Sequence, residues 1–286
     1  MENTKNTTLF FTLPERWEED GFGCASLGFA GAAGKGTAAF SCAPRGLVLQ
    51  GGYDRILAEA EGLSPTAAIV LFGNAGGENR FLARLSSLLN CPTVGGGAAM
   101  NGNVGGLMTG RTEACVFLLT DEDYEVETQW QNIHRHLLGE VEVSFDEADP
   151  RTVTALNGEE PKAWLDRQKA ALGFAPEDFE HFTLSDQKGI NAHLSWDGAH
   201  VRSGRDLEHT MIARYVRPEE TKPAAMAFYN DAENAIVFGC AGLKGICGEL
   251  PPVQSLGLYL FGEVCMTEQG PVFGNLMLSK LRLIRK

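Results

Sequence analysis

Apolar residues in this chain gather in short runs that stop at glycine. The last quarter shows the pattern most plainly. Ala235-Ile236-Val237-Phe238 breaks at Gly239-Cys240-Ala241-Gly242, and Leu256-Gly257-Leu258-Tyr259-Leu260-Phe261 breaks at Gly262-Glu263. A third segment opens at Gly274-Asn275 and runs from Leu276 to Ile284, interrupted by Lys280 and Arg282 as a half-exposed strand would be. Runs this short, bounded by glycine and proline, predict buried strands. The first half follows the same order. Thr66 to Phe72 predicts a buried strand broken at Gly73-Asn74, and Ala114 to Leu119 a closing strand. Between them Glu78 to Leu89 predicts an amphipathic helix, with Phe81, Leu82, Leu85, Leu88 and Leu89 at the 3.6 period. Gly95-Gly96-Gly97 then opens a glycine-rich connection.

The remaining stretches read more locally. Residues 1–13 predict a strand after a polar start, Pro14 to Asp20 a helical turn, Gly34-Lys35-Gly36 a hairpin, and Tyr53 to Glu61 a helix ended by Gly62. Glu125 to Leu138 predicts a helix with Trp130, Ile133, Leu137 and Leu138 on its apolar side. Glu140 to Phe145 and Val153 to Gly158 predict strands, and Pro161 starts a helix that Gly173 stops. Ile190 to Ser195 and Ala199 to Val201 predict a hairpin across Asp197-Gly198, a two-residue turn signal. Ala224 to Tyr229 predicts another strand.

The two glycine-broken series lie at a near-constant offset. Val70 and Val237 are 167 residues apart, Ala75 and Ala241 166, and Gly95 and Gly262 167. Such spacing predicts two related halves. The expected fold is α/β (α+β): two halves, each a mixed sheet flanked by helices, packed as a layered sandwich. The divisions expected are residues 1–120, a connecting segment 121–185, and 186–286.

Charge narrows the partners. The formal net charge is -13 over 286 residues, a field that repels phosphate backbones and anionic lipid, so neither nucleic acid nor membrane is expected as a partner. No run approaches the length of a membrane span, and Leu9 to Leu13 is too short for a signal sequence. Seven cysteines, an odd number with no C-x-x-C pair, fit reduced buried thiols in a cytoplasmic protein rather than disulfides or a zinc site.

Candidate chemistry is sparse. Gly21 and Gly23 start a glycine pattern like a dinucleotide fingerprint, but Ser26 stands at its third position and no amphipathic helix follows. His134 and His136, two apart in the expected helix, point to different faces and read as solvent-exposed. His181, His193, His200 and His209 lack ligand spacing, although a single histidine suffices as an axial haem ligand. Glu263, directly after a strand and a glycine, is the most suggestive ionisable group; it either holds a ligand or caps backbone amides. Asn275 faces the same expected edge. Cys240, near Lys244, is either a reactive thiol or a buried inert one.

At these residues the chain resembles the FIST-domain family. Ser255 to Glu263 followed by Gly274-Asn275 and an apolar strand looks like its C-terminal motif. Phe238-Gly239-Cys240-Ala241-Gly242 resembles its strand ending in Cys, and Leu156-Asn157-Gly158-Glu159-Glu160-Pro161 its central segment. Ala68 to Met100 resembles its N-terminal half. Gly274 and Met277 stand where the family carries His and Thr, and Leu243 where it often carries Arg. The resemblance implies a cytoplasmic sensory domain of bacterial signal transduction that binds a small molecule such as an amino acid and signals through a separate protein. Its ligand residues would be Glu263, Asn275, Gly262, Cys240, Gly239, Asn74 and Gly96. Some relatives bind haem as gas sensors. The alternatives left open are an enzyme, hydrolase or transferase, using Cys240 or Glu263, and a protein-interaction module.

Overall fold

A computed structural model describes residues 8–12, 24–30, 45–73, 76–97, 113–230, 235–240, 242–247, 256–260 and 262–286. The first part of the chain forms β1 (Thr8–Thr12), β2 (Cys24–Ala30), β3 (Arg45–Gly51), α1 (Tyr53–Ala60), β4 (Ala67–Phe72), α2 (Glu78–Leu89), β5 (Thr93–Gly97) and β6 (Ala114–Leu119). The middle forms β7 (Tyr124–Asn132), β8 (His136–Asp146), β9 (Asp149–Leu156), α3 (Pro161–Leu172), β10 (Phe182–Ser185), β11 (Asn191–Trp196), β12 (Val201–Ser203) and β13 (Thr210–Tyr215). The last part forms α4 (Pro218–Asn230), β14 (Ala235–Cys240), α5 (Leu243–Cys247), β15 (Leu256–Leu260), β16 (Glu263–Thr267), β17 (Gly270–Gly274) and β18 (Met277–Arg285).

The expected α+β layering is present. One sheet runs β1-β2-β3-β6-β4-β5-β16-β17 and a second runs β15-β14-β18-β7. They stack face to face through a shared core in which Ile69, Leu71, Val94 and Phe117 meet Ile236, Phe238, Leu281 and Leu283. The outer face of the large sheet is covered by α1 and α2, where Val70 and Phe72 pack with Ile56, Phe81 and Leu85. The outer face of the small sheet is covered by α4 and α5, with Val237 and Leu278 against Phe228, Tyr229 and Ile246. Strands β4 and β14 therefore bury both faces, which is why their sequences are continuously apolar rather than alternating. Among the described residues no helix is long and apolar enough to cross a membrane.

The topology contains an internal repeat. Order β3-β6-β4-β5 in one sheet matches β7-β18-β14-β15 in the other: β4 pairs parallel with β5 and antiparallel with β6, as β14 does with β15 and β18. The register refines the alignment read from sequence. Val70 lies beside Gly95, whereas Val237 lies beside Gly257, so the counterpart of Gly95 is Gly257 and not Gly262. A closed barrel, β10-β11-β12-β9-β8-β13, enters the second unit between β7 and α4. It spans His136 to Tyr215, on both sides of position 185, and encloses its own core of Val143, Leu156, Trp164, Leu184, Leu194 and Met211.

Three local expectations are corrected. Glu125 to Leu138 is not a helix: Val126, Thr128 and Trp130 alternate with Glu125, Glu127, Gln129 and Gln131, and that period of two makes β7 before the chain turns into β8. Ala224 to Tyr229 is not a strand but the second half of α4, where Thr221, Ala225, Phe228 and Tyr229 share the buried face at helical spacing. The β11–β12 hairpin exists, but Trp196 pairs with Val201, so the loop is the four residues 197–200 rather than Asp197-Gly198 alone. Asp197 Oδ1 accepts from the N–H groups of Ala199 and His200 and closes it. The turn expected at Pro14 to Asp20 and the hairpin at Gly34 to Gly36 lie outside the described residues.

Gly96 marks where the two halves interlock, because a Cβ there would collide with the carbonyl oxygen of Gly262. Gly96→Ala is expected to cost about 3 kcal/mol or more by forcing β5 and β16 apart. Gly198→Ala, at φ +101 but in open space, carries only backbone strain of about 1–2 kcal/mol. Urea midpoints of the two variants would check the order; equal losses would refute the tight crossing.

Candidate functional site

The chain leaves the small sheet at Leu260 and enters the large sheet at Glu263, and the polar seam is built around that crossing. Gly262 makes the step with φ +94, a conformation that glycine takes without steric cost. A Cβ at that position would lie 2.6 Å from the Gly274 carbonyl oxygen. The Gly262 carbonyl then accepts from Gly97 N–H at 3.0 Å, tying the crossing to β5. Glu263 itself pairs with glycine on both sides, Gly96 on β5 and Gly274 on β17, so no neighbouring side chain shields it within the sheet.

The Glu263 side chain has no solvent exposure. Oε2 accepts from the Met277 N–H at 3.0 Å, the Cys240 thiol donates to the carboxyl group, and Oε1 has no hydrogen-bond partner. Burial raises its pKa well above the carboxylate range, and these two hydrogen bonds oppose the shift without cancelling it. Burial thus biases the group toward its protonated form. Cys240, at the carboxyl end of β14, is buried too. Burial, with the nearby Glu263 adding, pushes its thiol up to about 12, although the N–H groups of Gly242, Leu276 and Gly262 point at the sulfur and pull the other way. A thiol in that state is a poor nucleophile at neutral pH.

The other wall comes from the barrel. On β11, Ala192 and Leu194 face the barrel core while Asn191 and His193 face outward to the crossing. Asn275 N–H donates to the Asn191 carbonyl at 3.0 Å, and Asn275 Oδ1 accepts from His193 N–H at 3.2 Å. His193 Nε2 is buried without a partner, and burial lowers the ring's pKa against the opposing charge of Glu180. Asn132, Asn191 and His134 form a network below it: Asn132 Nδ2 donates to Asn191 Oδ1 at 2.7 Å, and Asn191 Nδ2 lies 3.2 Å from His134 Nδ1. His134 Nε2 sits 2.8 Å from the Glu180 carbonyl. One buried ion pair, Arg205 to Asp186 at 2.8 Å, completes the wall, with Arg205 also donating to the Phe273 carbonyl.

Of the residues singled out by sequence, Glu263, Gly262, Gly96, Cys240 and Asn275 come together at this seam. Gly239 sits one step back on β14, where a Cβ would collide with the Tyr229 hydroxyl. Asn74 lies outside the described residues. The glycines do not leave room for a ligand at their own Cα atoms: protein atoms fill the space at Gly96, Gly239 and Gly262. His134 is corrected outright. It is wholly buried rather than exposed, and burial takes its pKa down to about 3, so it stays neutral. Asn191 escaped the sequence reading, and His193 stands there only as one of four histidines without ligand spacing, although the alternation Asn191-Ala192-His193-Leu194 in a predicted strand already placed both on one face. Among the described residues no three His, Cys, Asp or Glu side chains gather as a metal site.

Comparison with known proteins adds no assignment. No family model matches this chain, and no curated protein matches it.

The raised pKa of Glu263 has a signed consequence. Above its ordinary value of 4.5 the unfolded chain releases a proton that the folded chain keeps, so stability falls as pH rises through that window. The slope is at most about 1.4 kcal/mol per pH unit. Glu263→Gln keeps the shape and removes the titration, so its advantage over the unsubstituted chain is expected to grow from pH 5 to pH 8 in urea melts. Parallel curves would mean that Glu263 ionises as an ordinary carboxylate.

Proposed function

We propose that this chain is a small-ligand-binding sensory domain, of the kind the FIST resemblance implies, acting in bacterial cytoplasmic signalling through a separate protein. The observation that carries the reading is the seam between barrel and sandwich. Glu263 Oε1 and His193 Nε2 are both buried there without a hydrogen-bond partner. Unpaired buried polar atoms are costly, and a ligand that satisfies them recovers that cost as affinity. The atoms left open in this wall are the Glu263 carboxyl oxygen, the His193 ring nitrogen and the Arg205 Nε–H. They suit recognition by hydrogen bonding.

The same chemistry disfavours catalysis. A thiol pushed up to about 12 by burial is a weak nucleophile at neutral pH, and a carboxyl whose pKa burial raises is biased toward the protonated form. A sensor needs instead two arrangements that the ligand distinguishes. The seam offers a way to make them, since it joins a separately cored barrel to the double sheet. A haem-binding version of the reading would use His193 as the axial ligand, because its Nε2 is the seam's unpartnered ring nitrogen.

Thermal melting against the twenty amino acids, with an absorption spectrum of protein expressed with haem, tests this. A true ligand at about 100 times its Kd is expected to raise Tm by roughly 5 °C or more. The shift should shrink in Asn275→Ala and in His193→Ala. A Soret band lost in His193→Ala would select the haem version. A chain that no amino acid stabilises and that carries no Soret band would overturn the proposal.

A further inference from the structure

Strand β7 is the outer strand of the small sheet, and among the described residues no strand pairs with its far edge. Its nine residues run in unbroken register against β18. Neither proline, bulge nor positive charge blunts it, and these are the usual devices against edge pairing. Its two charges, Glu125 and Glu127, already face Lys286 at 4.0 Å and Arg282 at 3.5 Å on the same chain. Such an edge is a template for another strand, and its sequence is complementary to itself.

We propose that two copies of this chain associate through β7, antiparallel, about a two-fold axis at Thr128, joining two four-stranded sheets into one of eight. Antiparallel ladders set residues of like hydrogen-bonding phase opposite each other, so the axis must fall on a residue. An axis at Val126 sets Glu125 against Glu127, and one at Glu127 sets that residue against itself. An axis at Gln129 leaves Tyr124 and Glu125 opposite residues beyond the end of the strand. The Thr128 axis uses all nine residues. It places Glu125 opposite Gln131, Glu127 opposite Gln129, and Val126 opposite Trp130, a β-branched and aromatic pair of the sort that stabilises sheets. An isologous contact of this kind closes at two copies. A cavity of about 310 Å³, lined by Glu127, Thr128, Gln129, Lys280 and Arg282, lies over the β7–β18 pair at the level of that axis.

Position 129 provides the test, because it is exposed and faces Glu127 of the other copy twice per dimer. Sedimentation velocity of the full chain from about 1 to 100 µM should show a monomer–dimer equilibrium. Gln129→Glu should weaken it about tenfold or more, and Gln129→Lys should tighten it, with unchanged circular dichroism spectra in both. A chain monomeric throughout that range would overturn the proposal. So would a dimer indifferent to the charge at 129, or one that both substitutions move the same way.

Discussion

The crossing at Gly262 and Glu263 ties the large sheet, the small sheet and the strands beside them together at one point. The consecutive strands β15 and β16 lie in different sheets with only Phe261 and Gly262 between them, so the two sheets cannot separate far without pulling β16 off β5. Three hydrogen bonds fix the crossing: Gly97 N–H to the Gly262 carbonyl, Met277 N–H to Glu263 Oε2, and the Cys240 thiol to the same carboxyl. These contacts bind the end of β5 to the Gly262 backbone, and the ends of β14 and β18 to the Glu263 side chain. Apolar burial between the sheets supplies the bulk of the stability, but it is not directional. The hydrogen bonds at the crossing set the register in which that burial occurs.

The barrel depends on the same point from the other side. Asn191 and His193 project from β11 because their neighbours Ala192 and Leu194 are needed inside the barrel. That alternation delivers a carbonyl and an N–H to Asn275, just after β17. Arg205, held by Asp186, reaches the Phe273 carbonyl two residues earlier. The contact between barrel and sandwich combines these polar bonds with an apolar cluster in which Ile190 meets Cys265, Met277 and Trp130. It joins two cores that are each closed on themselves.

Much of the sandwich was legible in the sequence because its elements carry strong local signals. Glu78 to Leu89 has a helical apolar face and a glycine before it, and the continuous run at Ala67 to Phe72 fits only a strand buried on both faces or a short buried helix segment. The β7 and α4 readings failed for complementary reasons. In β7 a tryptophan and three downstream apolar residues suggested period 3.6, while the true period of two lay in the alternating Glu and Gln positions. In α4 the run Ala224 to Tyr229 is too short to show its period without Thr221 one turn upstream. The site was half legible. Glycine next to an acid at a strand end marks a crossing, but the barrel strand that completes the seam is far away in sequence. Its pairing with Asn275 is a tertiary fact that no local pattern encodes.

The chemical identity of position 263 sets the last constraint. A glutamine there would offer the same acceptor to Met277 N–H with no ionisable group to bury. An acid is costlier in one specific way: it keeps a proton that it would lose in water, and so couples the fold to pH and to anything that hydrogen-bonds Oε1. The Cys240 sulfur, ringed by three backbone N–H groups, holds the other end of that coupling, because any change in the carboxyl's protonation alters the thiol's preferred donor role. From the carboxyl the change reaches β18 through Met277, and from the sulfur it reaches the loops after β14 and β15. A ligand contacting that one oxygen would thereby act on β14 and β18, the two inner strands of the small sheet, and β7, which pairs with β18 along its full length, is the next strand in line.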